Sequence, residues 1–184
     1  MQGGRGLKDY TDNSGTIHLG NVLEVLPKLP AGLARTCVTS PPYWGLRDYK
    51  RAGQLGMEAS PEAYAENMVR VFREVKRILT DDGTLWLNLG DCYANDTKWG
   101  GTTGGKHAKG LHGTTGIGRL RTETGLASKN LIGIPWRVAF ALQADGWYLR
   151  SDIIWHKPNP MPESVTDRPT RSHEYFFLLS KREK

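Results

Sequence analysis

The chain has 184 residues, of which 38% are hydrophobic and 24% are charged, and its formal net charge is +6. This length allows one domain with a hydrophobic core, and the composition is ordinary for a globular protein. Neither Cys37 nor Cys92 lies in a Cys-x-x-Cys pair, so we expect no structural zinc site and no disulfide framework. The positive charge fits either a polyanionic partner or a basic surface without a ligand.

The sequence lacks the apolar segments that are typical of secretion or membrane insertion. Residues 1–10 contain no apolar run, and no stretch approaches the ~20 apolar residues that a membrane helix needs. Together with the two isolated cysteines, this pattern predicts a soluble protein of the reducing cytoplasm.

The first part of the chain predicts three short elements after a polar, glycine-rich lead-in at 1–15. We expect a strand at 17–19, a helix capped by Asn21 at 21–26, and a strand at 35–39. Two consecutive prolines follow the last of these strands. Because proline cannot continue a sheet ladder, the strand is predicted to end there.

A helix at 61–79 has the strongest pattern in the chain. Ser60 is a suitable N-cap, Pro61 is a suitable first residue, and apolar residues recur at helical spacing to form one face. We predict a turn at Asp81-Asp82-Gly83 and then a strand at 84–89, which is apolar enough to be buried on both faces.

The last part of the chain predicts a helix at 135–144, a strand at 147–156, a proline-rich connection at 157–170 and a strand at 174–180. This alternation of strands and helices indicates an α/β fold with a mostly parallel sheet. In such sheets ligands bind at the carboxyl ends of the strands.

The most informative segment, Thr39-Ser40-Pro41-Pro42-Tyr43-Trp44, lies at one of these carboxyl ends. It resembles the catalytic motif of the cytosine-N4 and adenine-N6 DNA methyltransferases, in which Asp, Asn or Ser precedes Pro-Pro and an aromatic residue. The serine form is most typical of the cytosine-N4 members. The resemblance runs from about residue 17 to residue 181 and includes the segments 46–49, 83–91, 154–159 and 172–175.

The resemblance implies a Rossmann-like, S-adenosylmethionine-dependent methyltransferase fold in circularly permuted order. It implies methyl transfer to N4 of a flipped cytosine in double-stranded DNA, without a metal. It also implies a bacterial or phage-encoded enzyme of the restriction-modification type. Asn21, Thr39 and Ser40 would contact the cofactor. The family also binds its cofactor through a Phe-x-Gly-x-Gly-type segment, which is not found in this sequence. We therefore expect an incomplete domain, completed by a C-terminal half or by a second chain.

The residue types of the motif suit this chemistry. The lone pair of an exocyclic amine is delocalised into the base, so a catalyst must hold the N–H groups and direct the lone pair at the methyl donor. By the resemblance, Ser40, Pro41, Pro42 and Tyr43 form the base pocket. Ser40 Oγ can accept one N–H bond, the carbonyl of Pro41 can accept the other, and Tyr43 can stack on the base after it leaves the duplex.

Several candidate DNA contacts have a purely structural alternative. Trp44 can stack on a base or pack in the core, and Arg47 can bind phosphate or pair with Asp48. His156 and Lys157 can face DNA or solvent. We expect a single domain spanning 1–184, with a glycine-rich basic insertion at 95–130. The insertion is interpreted either as a DNA-facing loop or as a solvated loop. Its candidate phosphate ligands are Lys98, Lys106, Lys109, Arg119, Arg121 and Lys129.

Three further residues have a structural interpretation at this point. We expect Cys37 to be a small core residue, and Asp91 to be either a polar member of the site or a turn residue. Glu174 is expected to orient the last strand. For the chain as a whole, the alternatives to a cytosine-N4 enzyme are an adenine-N6 enzyme, an RNA methyltransferase and a non-catalytic DNA-binding fragment.

Overall fold

The computed structural model describes residues 9–46, 48–94, 124–160 and 166–183. A two-stranded ribbon, β1 (Tyr10–Thr11) and β2 (Thr16–Ile17), precedes helix α1 (Val22–Val25) and a 3₁₀ turn (Leu26–Lys28). Asn21 caps α1 as predicted, because its Oδ1 accepts a hydrogen bond from the backbone N–H of Leu23 at 3.0 Å.

The main sheet has four strands in the order β3-β4-β6-β5. Their bounds are β3 (Ala34–Thr39), β4 (Leu79–Leu89), β5 (Tyr148–His156) and β6 (His173–Ser180). Only the β3–β4 pair is parallel, and β6 runs antiparallel to both β4 and β5. The prediction of a mostly parallel sheet was therefore wrong for the described strands. The cause is the connection between β5 and β6, which contains no described helix and so reverses the chain direction within the sheet.

This mixed topology determines which ends of the strands meet. Because β3, β4 and β5 run in one direction and β6 in the other, one edge of the sheet collects the carboxyl ends of three strands and the amino end of β6. Residues after Thr39, Leu89 and His156 therefore lie close to residues at the start of β6, although up to about 130 positions separate them in the sequence.

Helix α2 (Pro61–Ile78) confirms the prediction made from its pattern. The Ser60 hydroxyl accepts a hydrogen bond from the N–H of Ala63 at 3.1 Å, and the apolar face of the helix is buried. Strand β4 begins immediately after it, so the residues predicted as a turn at 81–83 lie inside the strand. They form a bulge: Ala34 pairs with Leu79 but Thr36 pairs with Thr84, so a step of five residues on β4 opposes a step of two on β3.

The core lies between one face of the sheet and the two longer helices, α2 and α3 (Ile134–Ala144). The sheet contributes fully buried side chains from the two central strands: Leu85, Leu87, Leu89, Phe177 and Leu179. The prediction that β4 is buried on both faces holds fully on this side only, because on the opposite face Asn88 is buried but Thr84 and Trp86 remain half-buried. Cys37 packs against the core as expected. No helix within the described ranges is long and apolar enough to cross a membrane.

Candidate active site

The turn at Ser40–Tyr43 leaves the end of β3 and is held by residues behind it. The hydroxyl of Tyr64, on α2, donates a hydrogen bond to the carbonyl of Pro42 at 2.9 Å. Gly56 approaches the turn so closely that an added Cβ would lie 3.1 Å from the carbonyl oxygen of Tyr43 and 3.2 Å from that of Pro42. The φ of Gly56 is also +92°, which favours glycine. Tyr64 and Gly56 thus contact the turn from the protein side, and Ser40 is exposed to solvent.

Asn88 of β4 connects the turn to the rest of the sheet. Its side chain is buried, and the residue is only 2% exposed. Its Oδ1 accepts hydrogen bonds from Ser40 Oγ at 3.0 Å and from the Tyr43 hydroxyl at 2.7 Å. Its Nδ2 donates to the carbonyl of Tyr175 at 3.1 Å and to Glu174 Oε2 at 3.3 Å. The amide can accept two hydrogen bonds through Oδ1 and donate two through Nδ2, so its full hydrogen-bonding capacity is used.

Glu174, at the amino end of β6, completes what we call the polar cluster: Ser40, Tyr43, Asn88, Lys157 and Glu174. The Nζ of Lys157, just after β5, forms an ion pair with Glu174 Oε1. Burial acts to raise the pKa of the Glu174 carboxyl. Hydrogen bonds from Lys157 and Asn88 outweigh that effect, however, and the pKa lies below its ordinary value. Glu174 is therefore ionised at neutral pH and acts as a hydrogen-bond acceptor.

Tyr43 is a hydrogen-bond donor in this arrangement. Burial and the nearby charge of Glu174 raise the pKa of its phenol to about 12, so the phenol keeps its proton at neutral pH. The same hydroxyl lies 3.2 Å from Glu174 Oε2. The ring packs against the backbone of Gly90, where an added Cβ would lie 2.5 Å from Tyr43 Cδ2. Glycine at position 90 thus makes room for the ring.

Asp91 supports the fold beside the cluster. Its Oδ1 accepts hydrogen bonds at 2.9 Å from the backbone N–H groups of Cys92, Gly133 and Ile134, which places the carboxylate at the N-terminus of α3. Burial raises the pKa of the carboxyl, although these bonds and the charge of Arg171 oppose the shift. Of the two alternatives stated for Asp91, the structure favours the structural one, as a helix-capping residue.

The other predicted site residues lie in different environments. Trp44 is 3% exposed and donates its indole N–H to the carbonyl of Glu58 at 2.9 Å, so the packing alternative describes it and neither ring face is open to a base. Asn21 is exposed but uses its Oδ1 to cap α1. Thr39 is the half-buried last residue of β3, opposite Leu87.

The candidate DNA contacts divide into two groups. His156 is exposed at the end of β5, whereas Lys157 pairs with Glu174 and so belongs to the polar cluster. Lys129 is exposed and forms an ion pair with Asp167 at 2.8 Å. The other candidates lie outside the described residues: Arg47, Lys98, Lys106, Lys109, Arg119 and Arg121.

Sequence reasoning did not identify Asn88 and Glu174 as site residues. Glu174 was expected to orient its strand, and the structure adds contacts that the sequence did not predict, from its carboxylate to Tyr43, Asn88 and Lys157. An amide within the apolar run 84–89 was the available signal, since a buried polar side chain needs partners. The antiparallel insertion of β6 beside β4, which brings Glu174 to that amide, could not be read from the sequence pattern.

Comparison with known proteins agrees with this geometry. Residues 34–184 match the family model for N6/N4 DNA methylases. The Type II methyltransferase M.Cfr9I of Citrobacter freundii is 53% identical over 174 residues, which cover 94% of this chain and 56% of that protein. The Type II methyltransferase M.SmaI of Serratia marcescens is 55% identical over 168 residues, which cover 91% of this chain and 56% of that protein. The chain thus spans about half the length of these curated relatives.

Solved structures share the fold at lower identity. A putative DNA modification methylase from Thermus thermophilus, complexed with S-adenosylmethionine, superposes with a TM-score of 0.57 at 24% identity, over 91% of this chain and 55% of the other. The PvuII DNA methyltransferase, described as cytosine-N4-specific, gives a TM-score of 0.58 at 18% identity, over 90% and 49%. The chain has the α/β fold of the S-adenosylmethionine-dependent DNA methyltransferases, and it belongs to the N6/N4 DNA methylase family.

Proposed function

We propose that this chain carries the catalytic side of a site-specific DNA methyltransferase, which transfers a methyl group from S-adenosylmethionine to N4 of a flipped cytosine. Ser40, Pro41, Pro42 and Tyr43 would form the base pocket at the edge of the sheet. The function is assigned to the turn because it combines an exposed hydroxyl, a rigid backbone and an aromatic ring in one place.

The observation that carries this proposal is the direction of the hydrogen bond between Ser40 and Asn88. An amide oxygen can only accept, so the single hydroxyl hydrogen of Ser40 points inward to Asn88 Oδ1. The lone pairs of Ser40 Oγ are then left for a ligand. An exocyclic amine presents N–H donors, and an oxygen that only accepts is the complementary group. The carbonyl of Pro41 supplies a second acceptor for the other N–H.

Acceptors on both N–H groups would favour a pyramidal nitrogen with a more localised lone pair. The amine nitrogen would form the new N–C bond as the C–S bond of the donor breaks, with the sulfur leaving as a neutral thioether. The cationic nitrogen would then release one proton to water, because Ser40 and the Pro41 carbonyl can accept a hydrogen bond from it but are too weakly basic to keep the proton. Transfer would be direct, without a covalent bond between the enzyme and the base. Tyr43 would stack on the base while Asn88 holds its hydroxyl.

The residues at this edge fit the methyl end of S-adenosylmethionine, which supplies an electrophilic methyl group on a sulfonium cation. An aromatic ring, hydroxyl and carbonyl oxygens and the carboxylate of Glu174 suit a nearby positive charge. Thr39 and Ser40 are the proposed contacts at that end, and Asn21 is proposed for the adenosine part. Double-stranded DNA is the proposed substrate, with His156, Arg47 and the basic insertion as candidate contacts.

The test is product analysis with DNA that contains every possible site. The protein is incubated with S-adenosylmethionine and amplified, unmethylated genomic DNA, and the digested nucleosides are identified by mass spectrometry. We expect N4-methyldeoxycytidine, and we expect Ser40→Ala to abolish it while DNA affinity is retained. Equal activity in the wild type and in Ser40→Ala would overturn the assignment of Ser40.

Two other products of the same assay distinguish the alternatives. N6-methyldeoxyadenosine would reassign the enzyme to adenine, since serine at position 40 is typical of one class without defining it. DNA binding with no methylated nucleoside, together with no S-adenosylmethionine binding in calorimetric titration, would identify a DNA-binding fragment.

A further inference from the structure

We propose that Glu174 is a positioning residue, which orients the amide of Asn88 and thereby makes Ser40 a hydrogen-bond acceptor for the target amine. This inference rests on the proposed function of the Ser40–Tyr43 turn and extends it to a residue on a different strand. Glu174 would act through Asn88 and Tyr43 without touching the reacting atoms itself.

The first step concerns the orientation of the buried amide of Asn88. The two groups that face Nδ2, the carbonyl of Tyr175 and the carboxylate of Glu174, can only accept hydrogen bonds. The two hydroxyls that face Oδ1, on Ser40 and Tyr43, can donate. A reversed amide would place its oxygen against two other acceptors, which is unfavourable in a buried site. The charge of Glu174 is the strongest of these orienting groups.

The second step concerns why Glu174 stays ionised. Lys157 lies against Oε1, while Asn88 and Tyr43 both lie against Oε2. One cation and one neutral donor, Lys157 and Asn88, therefore bind the carboxylate, and the Tyr43 hydroxyl, whose single hydrogen goes to Asn88 Oδ1, lies beside it. If Glu174 became neutral, its own O–H could donate, and the acceptor that selects one orientation of the Asn88 amide would be weakened. Lys157 is thus the residue that preserves the direction of the hydrogen bonds in the polar cluster.

The third step leads to Ser40. When Asn88 Oδ1 faces the turn, it binds the hydroxyl hydrogen of Ser40 and leaves the oxygen lone pairs for the substrate. If Asn88 Nδ2 faced the turn instead, Ser40 would have to accept from it, and the hydroxyl hydrogen would point towards the substrate amine. The Ser40 O–H and the N–H of the substrate amine, both hydrogen-bond donors, would then face each other. The orientation of one amide therefore decides whether the pocket attracts or repels the N–H group of the target.

The first experiment needs no turnover, so it remains informative if the proposed methyl transfer fails. Tyrosine labelled with ¹³C at Cζ is introduced, the Tyr43 signal is assigned with Tyr43→Phe, and its titration is followed by NMR. In the wild type we expect the pKa of the Tyr43 phenol to be about 12, and in Glu174→Gln we expect it to move towards the ordinary value of 10.0. The side-chain amide of Asn88 should also lose the NMR chemical shift that is typical of a hydrogen-bonded amide. Glu24→Gln, an exposed change on α1, is the control. Unchanged Tyr43 and Asn88 signals in Glu174→Gln would overturn the proposal.

The second experiment measures single-turnover methylation and DNA affinity in the same variants. Glu174→Gln should lower the rate of methyl transfer roughly tenfold to 100-fold, because the acceptor is misplaced, with little change in DNA affinity. Asn88→Asp should also lose activity, since two carboxylates then face each other. A carboxylate at position 88 has two equivalent oxygens, however, so it can accept the hydroxyl hydrogen of Ser40 whichever oxygen faces the turn. Asn88→Asp combined with Glu174→Gln should therefore be faster than Asn88→Asp alone.

The outcomes separate the two proposals. A wild-type rate of zero with the expected NMR shifts would reject the proposed function of this chain and retain the orienting role of Glu174. An active wild type whose rate is unaffected by Glu174→Gln, or a double variant as slow as Asn88→Asp, would reject the positioning role and retain the proposed function.

Discussion

The hydroxyl of Tyr64 donates a hydrogen bond to the carbonyl of Pro42 over 2.9 Å, which ties the long helix α2 to the turn that carries Ser40. Tyr64 is completely buried, and burial together with the charge of Glu58 raises the pKa of its phenol far above the ordinary range. The phenol therefore keeps its proton at neutral pH, and the carbonyl of Pro42 has a fixed partner.

Tyr64→Phe is expected to destabilise the protein by about 1 kcal/mol, because it leaves the Pro42 carbonyl without its partner while the ring still fills the core. Looser positioning of the turn should also lower the methylation rate roughly tenfold. Urea unfolding and single-turnover assays measure the two effects. Tyr10→Phe is the matched control, since Tyr10 is 61% exposed. If both variants unfold at the same urea concentration as the wild type, the hydrogen bond contributes nothing measurable.

Gly90→Ala is expected to displace the ring of Tyr43, because the new Cβ would overlap its Cδ2 at 2.5 Å. The hydrogen bond from Tyr43 to Asn88 should be lost with the ring position, and the methylation rate should fall by about 100-fold. Gly15→Ala adds the same methyl group where nothing lies within 4 Å, so it should behave as the wild type does. Circular dichroism checks that both variants fold. A fully active Gly90→Ala would show that the Tyr43 ring is not required at that position.

Local signals in the sequence were sufficient for most elements. The Ser60–Pro61 start and the apolar spacing of α2 predicted that helix correctly, because capping and amphipathic periodicity act within a few residues. The end of β3 before Pro41 and Pro42 was predicted for a similar reason, since proline cannot donate to the ladder. The turn at Ser40–Tyr43 was therefore placed correctly at the carboxyl end of a strand.

Long-range features were beyond the reach of the sequence pattern. Apolar residues in β6 are compatible with either strand direction, so the antiparallel pairing with β4 left no local trace. Glu174 and Asn88 stand 86 positions apart and come together only through that pairing. The bulge at 81–83 was mistaken for a turn because Asp-Asp-Gly is favourable in both structures.

Asp91→Ala should cost about 1–3 kcal/mol of unfolding free energy, because three backbone N–H groups lose their acceptor at the start of α3. Asp91→Asn keeps an oxygen at that position and should cost less, even though its amide group replaces the carboxylate oxygen that lies 3.8 Å from Arg171. Denaturant unfolding of the two variants gives the comparison. Equal stability of Asp91→Ala and the wild type would exclude the capping role.

The carboxylates of Glu174 and Asp91 are expected to give opposite pH dependences. The pKa of Glu174 is lowered from its ordinary 4.5, so the folded state holds the proton less tightly than the unfolded state does. Its contribution to stability is therefore complete above pH 4.5 and is lost as the pH falls through the folded pKa. The pKa of Asp91 is raised above 3.8, mainly by burial. Its charge therefore costs stability at neutral pH, and that cost is relieved as the pH falls from the folded pKa towards 3.8.

Urea unfolding between pH 7 and pH 3 resolves these two contributions when each variant is compared with the wild type at every pH. The stability difference between the wild type and Glu174→Gln should be constant near neutral pH and should shrink below pH 4.5. The difference between the wild type and Asp91→Asn should instead shift in favour of the wild type as the pH falls, because only the wild type gains from protonation of Asp91. Differences of the same sign and slope for both variants would mean that the charge of Glu174 is not stabilised by Lys157 and Asn88.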